Sequence, residues 1–154
     1  MYWKFDAVTS LVDLYGFRDD SSGDPDALQD RLFAEIENRI GREVNRAKML
    51  PYVQRYEFEA LLFSNAEVFA EVPGASGETV QSLQNMRLQY RTPEDINDDS
   101  ETAPSKRILR AIPRYRKVVN GPPLAAKIGL AVIRTECPRF GAWLTRLESL
   151  ETGE

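Results

Sequence analysis

The stretch Val8-Thr9-Ser10-Leu11-Val12-Asp13-Leu14 constrains the fold of this chain more than any other. It is rich in β-branched residues and apolar at both parities. That pattern predicts a strand buried on both faces, as in a parallel sheet. A parallel strand needs a crossover, and the next residues supply one. Tyr15-Gly16 ends the strand, and Arg18 to Asp26 form a polar Ser/Asp/Gly loop. Asp24 is placed to cap a helix whose first position is Pro25. Leu28, Leu32, Phe33, Ile36 and Ile40 then make one apolar helical face, and Gly41 stops it. A second strand is expected over Met49 to Arg55, with Pro51 marking an edge or a strand entry. The expected fold class is α/β: a parallel sheet of two or three strands early in the chain, then a mainly helical C-terminal half.

In that half, Tyr56 to Ser64 reads as the start of a helix with Phe58, Leu61 and Leu62 facing inward. Val72-Pro73-Gly74 breaks the chain, and Gly77 to Tyr90 is a weakly amphipathic helix. Thr92 to Thr102 is an acidic loop. Ser105 is expected to cap a helix from Lys106 to about Ala111, before Pro113. Gly121-Pro122-Pro123 reads as another break, followed by two short helices bent near Gly129. Pro138 to Glu151 is the last helix, with Phe140, Trp143, Leu144, Leu147 and Leu150 at helical spacing. No repeat or second-domain boundary appears, so one domain over residues 1–154 is expected. Two strands do not make an independent parallel sheet. A second copy of the chain, or a partner protein that completes the sheet, is therefore expected, unless the sheet's first element is missing.

Composition narrows the chemistry. Histidine is absent and Cys137 is the single cysteine. This excludes His-dependent nucleophile systems, His-ligated metals, thiolate zinc and an internal disulfide. Acid–base work would fall to carboxylates, Lys, Tyr or metal-bound water. Asp and Glu without His or Cys suit Mg²⁺ or Mn²⁺, which prefer oxygen ligands. No apolar run approaches ~18 residues, so no membrane span is expected. The start, MYWKFDAVTS, lacks a signal-peptide pattern, and a cytoplasmic location is expected.

Charge is unevenly spread. Residues 1–101 carry 20 acids and 10 bases, whereas residues 102–154 carry 4 acids and 10 bases. Lys106, Arg107, Arg110, Arg114, Arg116 and Lys117 fall together, and no acid interrupts Ser105 to Lys117. Such a segment fits a phosphate backbone, or it neutralises the acidic body of the same fold. Ser105, Lys106 and Arg107 at a helix start offer N–H groups, a hydroxyl and two cations, and Arg110 lies one turn on. That is a phosphate seat or a solvated basic helix. Asp13 stands at the carboxyl end of a strand, where open α/β sheets bind ligands, or it is a plain loop carboxylate. Glu57 and Glu59 form an E-F-E triplet that is either functional or a pair of first-turn acids favoured by the helix dipole. Cys137 reads as a packed thiol.

Seven strings in order resemble a bacterial family of Toprim-like proteins, the RloG-like family, itself a domain of unknown function. They are VTSLVDLYG, PYVQRYEFEALLFS, PEDIND, TAPSKRI, YRKVVNGP, IGL and CPRFGAWLTRLESL, spanning Val8 to Leu150. The resemblance implies a Toprim-like fold and a Mg²⁺- or Mn²⁺-dependent phosphodiesterase or nuclease, in a mobile-element or phage-defence setting. On it, Asp13 and Glu57 would hold the metal, with Glu59 as a further catalytic acid. Ser105, Lys106, Arg107 and Arg110 would bind phosphate, and nucleic acid would be the partner. Family members usually begin with a strand carrying a V-E-G-x-T-E-like motif. This chain starts after it, so an N-terminally truncated domain is expected. The alternative is a catalytically incomplete member that acts by binding.

Overall fold

A computed structural model describes residues 7–17, 23–97 and 102–150. Two compact units are formed, one drawn from Met1–Arg55 with Ala142–Glu154 and the other from Tyr56–Gly141.

In the first unit, β1 (Val8–Asp13) and β2 (Met49–Gln54) pair in parallel, and α1 (Pro25–Ile40) is the crossover. The α/β class is as the sequence indicates. The register sets Val8 opposite Met49 and Asp13 opposite Gln54, so both carboxyl ends fall level. Helix α1 starts and stops where its side chains dictate. Asp24 Oδ1 accepts the Asp26 N–H at 2.9 Å, and Gly41 adopts a φ of 69°, which glycine alone takes without strain. Pro25, Leu28 and Phe33 are its buried residues, and the Arg46 guanidinium lies 4.1 Å from the Phe33 ring centroid. Gln29 Oε1 accepts the Val53 N–H at 2.9 Å and ties the crossover to β2.

Strand alternation puts Thr9, Leu11 and Asp13 on one face. On that face Trp143, from α6 (Pro138–Glu148), stacks on Tyr52 with centroids 4.9 Å apart, and its indole N–H donates to Thr9 Oγ1 at 3.0 Å. The expected burial of β1 on both faces is not found. Thr9, Ser10 and Leu11 are exposed, Leu11 by 39%. The reason is which strand the crossover covers: among the described residues β1 pairs with β2 alone, and α1 packs on β2 rather than on β1. The cover goes to β2, where Leu50, Tyr52 and Val53 are buried.

The second unit is built around Phe58–Glu71, which is largely apolar and carries buried Leu61, Leu62, Phe63, Val68 and Phe69. Its backbone winds in 3-10 turns rather than the helix that the sequence suggests. Asn65 explains the interruption. It leaves helical geometry at φ −146° and its Oδ1 accepts the Glu67 N–H at 3.1 Å, a side-chain turn that restarts the winding. Around this core lie α2 (Gly77–Arg87), α3 (Pro104–Ala111), α4 (Lys117–Ile128), α5 (Leu130–Glu136) and the first residues of α6. Cys137, fully buried, places its Sγ 3.3 Å from Ser64 Oγ.

Two boundaries differ from expectation. Helix α3 begins at Pro104, and Ser105 lies inside its first turn facing inward instead of capping it. Helix α4 runs straight through Pro122 and Pro123. Those rings deprive the carbonyls of Val118 and Val119, four residues earlier, of their helical donors. Val118 is 89% exposed and Val119 is exposed too, so water reaches that turn. The bend falls at Gly129, φ 84°, as its position in the sequence suggests.

Candidate functional site

The second unit holds a polar cluster in its interior, and Glu57 is its centre. Tyr56 takes a left-handed φ of 64°, a costly conformation for a residue with a Cβ, and turns the chain just before Glu57. The Glu57 carboxylate then meets two helix starts. Its Oε2 accepts the Ser105 backbone N–H at 2.8 Å, and its Oε1 accepts the Ser105 hydroxyl at 2.9 Å. The Lys117 ammonium, on the first residue of α4, donates to the same Oε1 at 2.8 Å. Burial raises the Glu57 pKa, and the hydrogen bonds from Lys117 and Ser105 more than reverse it. The carboxyl group therefore sits below its ordinary value.

Glu59 completes the cluster. It is buried, its Oε2 lies 3.5 Å from Lys117 Nζ, and its Oε1 accepts the Tyr115 hydroxyl at 3.4 Å. Burial and the neighbouring Glu59 carboxylate raise the Tyr115 pKa well above its usual value, so this hydroxyl stays protonated. Gly121 packs beside it: a Cβ there would make ordinary contact, 3.5 Å from the Tyr115 oxygen and 3.4 Å from the Phe58 ring.

The bases divide into two groups. Arg107 is committed to the fold, donating to Thr102 O at 2.6 Å and to the Tyr90 hydroxyl at 2.7 Å. Ser105 spends both donors on Glu57, so the start of α3 already holds an anion from its own chain. Lys106 and Arg110, four apart on α3, face outward, opposite buried Ile108. Beyond α3, Ile112 and Tyr115 are buried anchors, and Tyr115 N–H donates to Ile112 O at 2.9 Å. This pinning leaves Arg114 and Arg116 exposed. Gly74, at φ 89°, lets the Arg114 stem lie close, since a Cβ there would stand 3.2 Å from Arg114 Cδ. Among the described residues, no carboxylate pairs with Lys106, Arg114 or Arg116. The outcome is a run of exposed bases along α3 and the segment after it.

Asp13 belongs to the first unit. It is half-buried at the carboxyl end of β1, on the face of Thr9 and Leu11, and makes no capping bond to the turn that follows. Its register neighbour Gln54 is fully buried, with Tyr52 OH donating to Gln54 Oε1 at 3.0 Å. Among the described residues, no three of Asp, Glu and Cys side chains gather as a cation cage.

Sequence reasoning missed Glu94. This buried carboxylate accepts the N–H groups of Arg139 at 2.8 Å and Phe140 at 3.1 Å, and so caps α6 as Glu57 caps α3. Both helices begin with proline and lack a local capping side chain in their sequence. That lack is the one signal that could have prompted a search for a distant carboxylate. Lys117 was visible only as one base among six.

A family model described as a domain of unknown function (DUF4276) matches residues 3–148. No curated protein and no solved structure matches the chain.

Proposed function

We propose that this chain, which belongs to the DUF4276 family of domains of unknown function, binds the phosphodiester backbone of nucleic acid through the run of exposed bases in its second unit. One observation carries the reading. Lys106, Arg110, Arg114 and Arg116 all point to solvent from α3 and the segment after it, and no acid lies between Ser105 and Lys117. Clustered surface cations repel one another, and a line of phosphates relieves that repulsion. Phosphate contacts of this kind position a protein on the backbone and carry no sequence information of their own. The test compares the wild type with the combined variant Lys106→Gln, Arg114→Gln, Arg116→Gln by anisotropy of labelled DNA. The reading expects affinity to fall about tenfold or more at moderate salt. Equal affinity would refute it.

A second reading, Toprim-like hydrolysis of that backbone with Mg²⁺ or Mn²⁺, is favoured by Asp13, a half-buried acid at the carboxyl end of a parallel strand. A divalent ion supplies an activated water and stabilises charge on phosphate. Glu57 gives this reading less support, because Ser105 and Lys117 already fill most of its acceptor sites. Mg²⁺-dependent nicking of plasmid DNA that Asp13→Asn abolishes would establish it. Nicking unchanged by that substitution would remove Asp13 from it. The finer placement among RloG-like, Toprim-like proteins rests on the matching strings and is part of this proposal.

A further inference from the structure

We infer that Lys117 is the resident cation of the Glu57–Glu59 pair, and that this pair takes up no divalent ion while Lys117 is present. Three donors already engage Glu57: the Ser105 N–H, the Ser105 hydroxyl and the Lys117 ammonium, each within 2.9 Å. A carboxylate offers about four lone-pair sites, so little is left for a metal. The ammonium also lies 3.5 Å from Glu59 Oε2, between the two acids, where a bridging ion would have to sit. Mg²⁺ demands ligands at about 2.0–2.1 Å in near-octahedral order, and would have to expel Nζ to gain them. The expelled ammonium would then stand beside the ion that replaced it.

An independent observation points the same way. Lys117 occupies the first turn of α4, which holds no acid. A cation there faces the positive end of the helix dipole and is disfavoured by its own helix. The fold positions it nonetheless. Arg116 N–H is held by Asn120 Oδ1 at 2.7 Å, which fixes the start of α4 and aims Lys117 at the two carboxylates. The acids offset the dipole, and the lysine offsets the acids. The inference does not depend on nucleic-acid binding.

The experiment is a Mn²⁺ titration of the full chain, by calorimetry, in wild type, Glu57→Gln and Glu59→Gln, with thermal melts of these, of Lys117→Met and of Glu57→Gln/Lys117→Met. Whatever Mn²⁺ the wild type binds, both Gln variants should bind equally well. Lys117→Met should lower the melting temperature by about 5 °C or more, and adding Glu57→Gln should lower it no further than the worse single substitution. A drop of about tenfold or more in Mn²⁺ affinity in either Gln variant would overturn the inference, as would an unchanged melting temperature in Lys117→Met. If Glu57→Gln does not fold, Glu59→Gln decides the Mn²⁺ arm. If Lys117→Met does not fold, Lys117→Arg, which keeps the cation, must fold and melt near the wild type.

Discussion

Glu57 takes both donors of Ser105, the backbone N–H at 2.8 Å on one carboxylate oxygen and the hydroxyl at 2.9 Å on the other. A residue at the start of the second unit thus governs a helix start 48 positions along the chain. The consequence for stability is direct. Glu57→Ala would leave two buried donors and an ammonium without their acceptor. It should destabilise the protein by about 2–4 kcal/mol, read from urea denaturation. A loss under about 0.5 kcal/mol, the size of an ordinary surface substitution, would contradict this.

The same contacts set an acid limit. The folded pKa of Glu57 is lowered relative to its ordinary value, because hydrogen bonds from Lys117 and Ser105 outweigh burial. A depressed carboxylate contributes stability that is fully present above its unfolded pKa, about 4.3, and is lost as pH falls through the folded value. Stability of the wild type should therefore decline below about pH 4.5 more steeply than that of Glu57→Gln. Parallel curves across that window would show that the carboxylate is not linked to folding.

Gly141 is required by its neighbour. A Cβ at this position of α6 would stand 2.6 Å from the backbone oxygen of Arg134 in α5, and a backbone carbonyl cannot swing aside as a side-chain tip can. Gly141→Ala should cost about 1–3 kcal/mol despite the higher helix propensity of alanine. A stabilised variant would mean that the two helices do not approach this closely.

Cys137 should be inert while the protein is folded. Burial is the main cause that pushes its thiol up to about 12, against a modest lowering by the Ser64 hydroxyl. Ellman's reagent at about pH 8 should modify it only after denaturant is added, since the thiolate is the reacting form. A raised pKa also means stability that is complete below the unfolded value of about 8.5 and declines as pH rises above it. Stoichiometric labelling of the native protein would contradict the packing described.

Local rules made much of the first unit legible. Asp24 and Pro25 mark the start of α1 and Gly41 its end, each through contacts only a few residues long, and capping depends on such short-range contacts. Pairing partners are another matter. Apolar residues at both parities of Val8 to Leu14 signal a strand, but whether both faces are covered depends on what packs against it, and here α1 lies on β2 rather than on β1. The prolines of α4 misled for a related reason. Proline disfavours a helix interior by removing a hydrogen bond, and the cost shrinks where water reaches the freed carbonyls. Within the polar cluster, Glu57, Ser105 and Lys117 are each conspicuous in sequence. Their meeting is not, because it depends on how α3 and α4 pack on the Phe58–Glu71 core. Glu94 left no local trace, since the N–H groups it serves lie 45 and 46 residues away.

The most direct test of the proposed function is a salt titration of DNA binding by the wild-type chain. Four outward bases engaging phosphates predict a log–log slope of binding constant against NaCl of about −3 to −4 on duplex DNA, little affected by base sequence. A flat slope, or no binding even at about 0.05 M salt, would contradict the assignment of these exposed bases to a phosphodiester backbone.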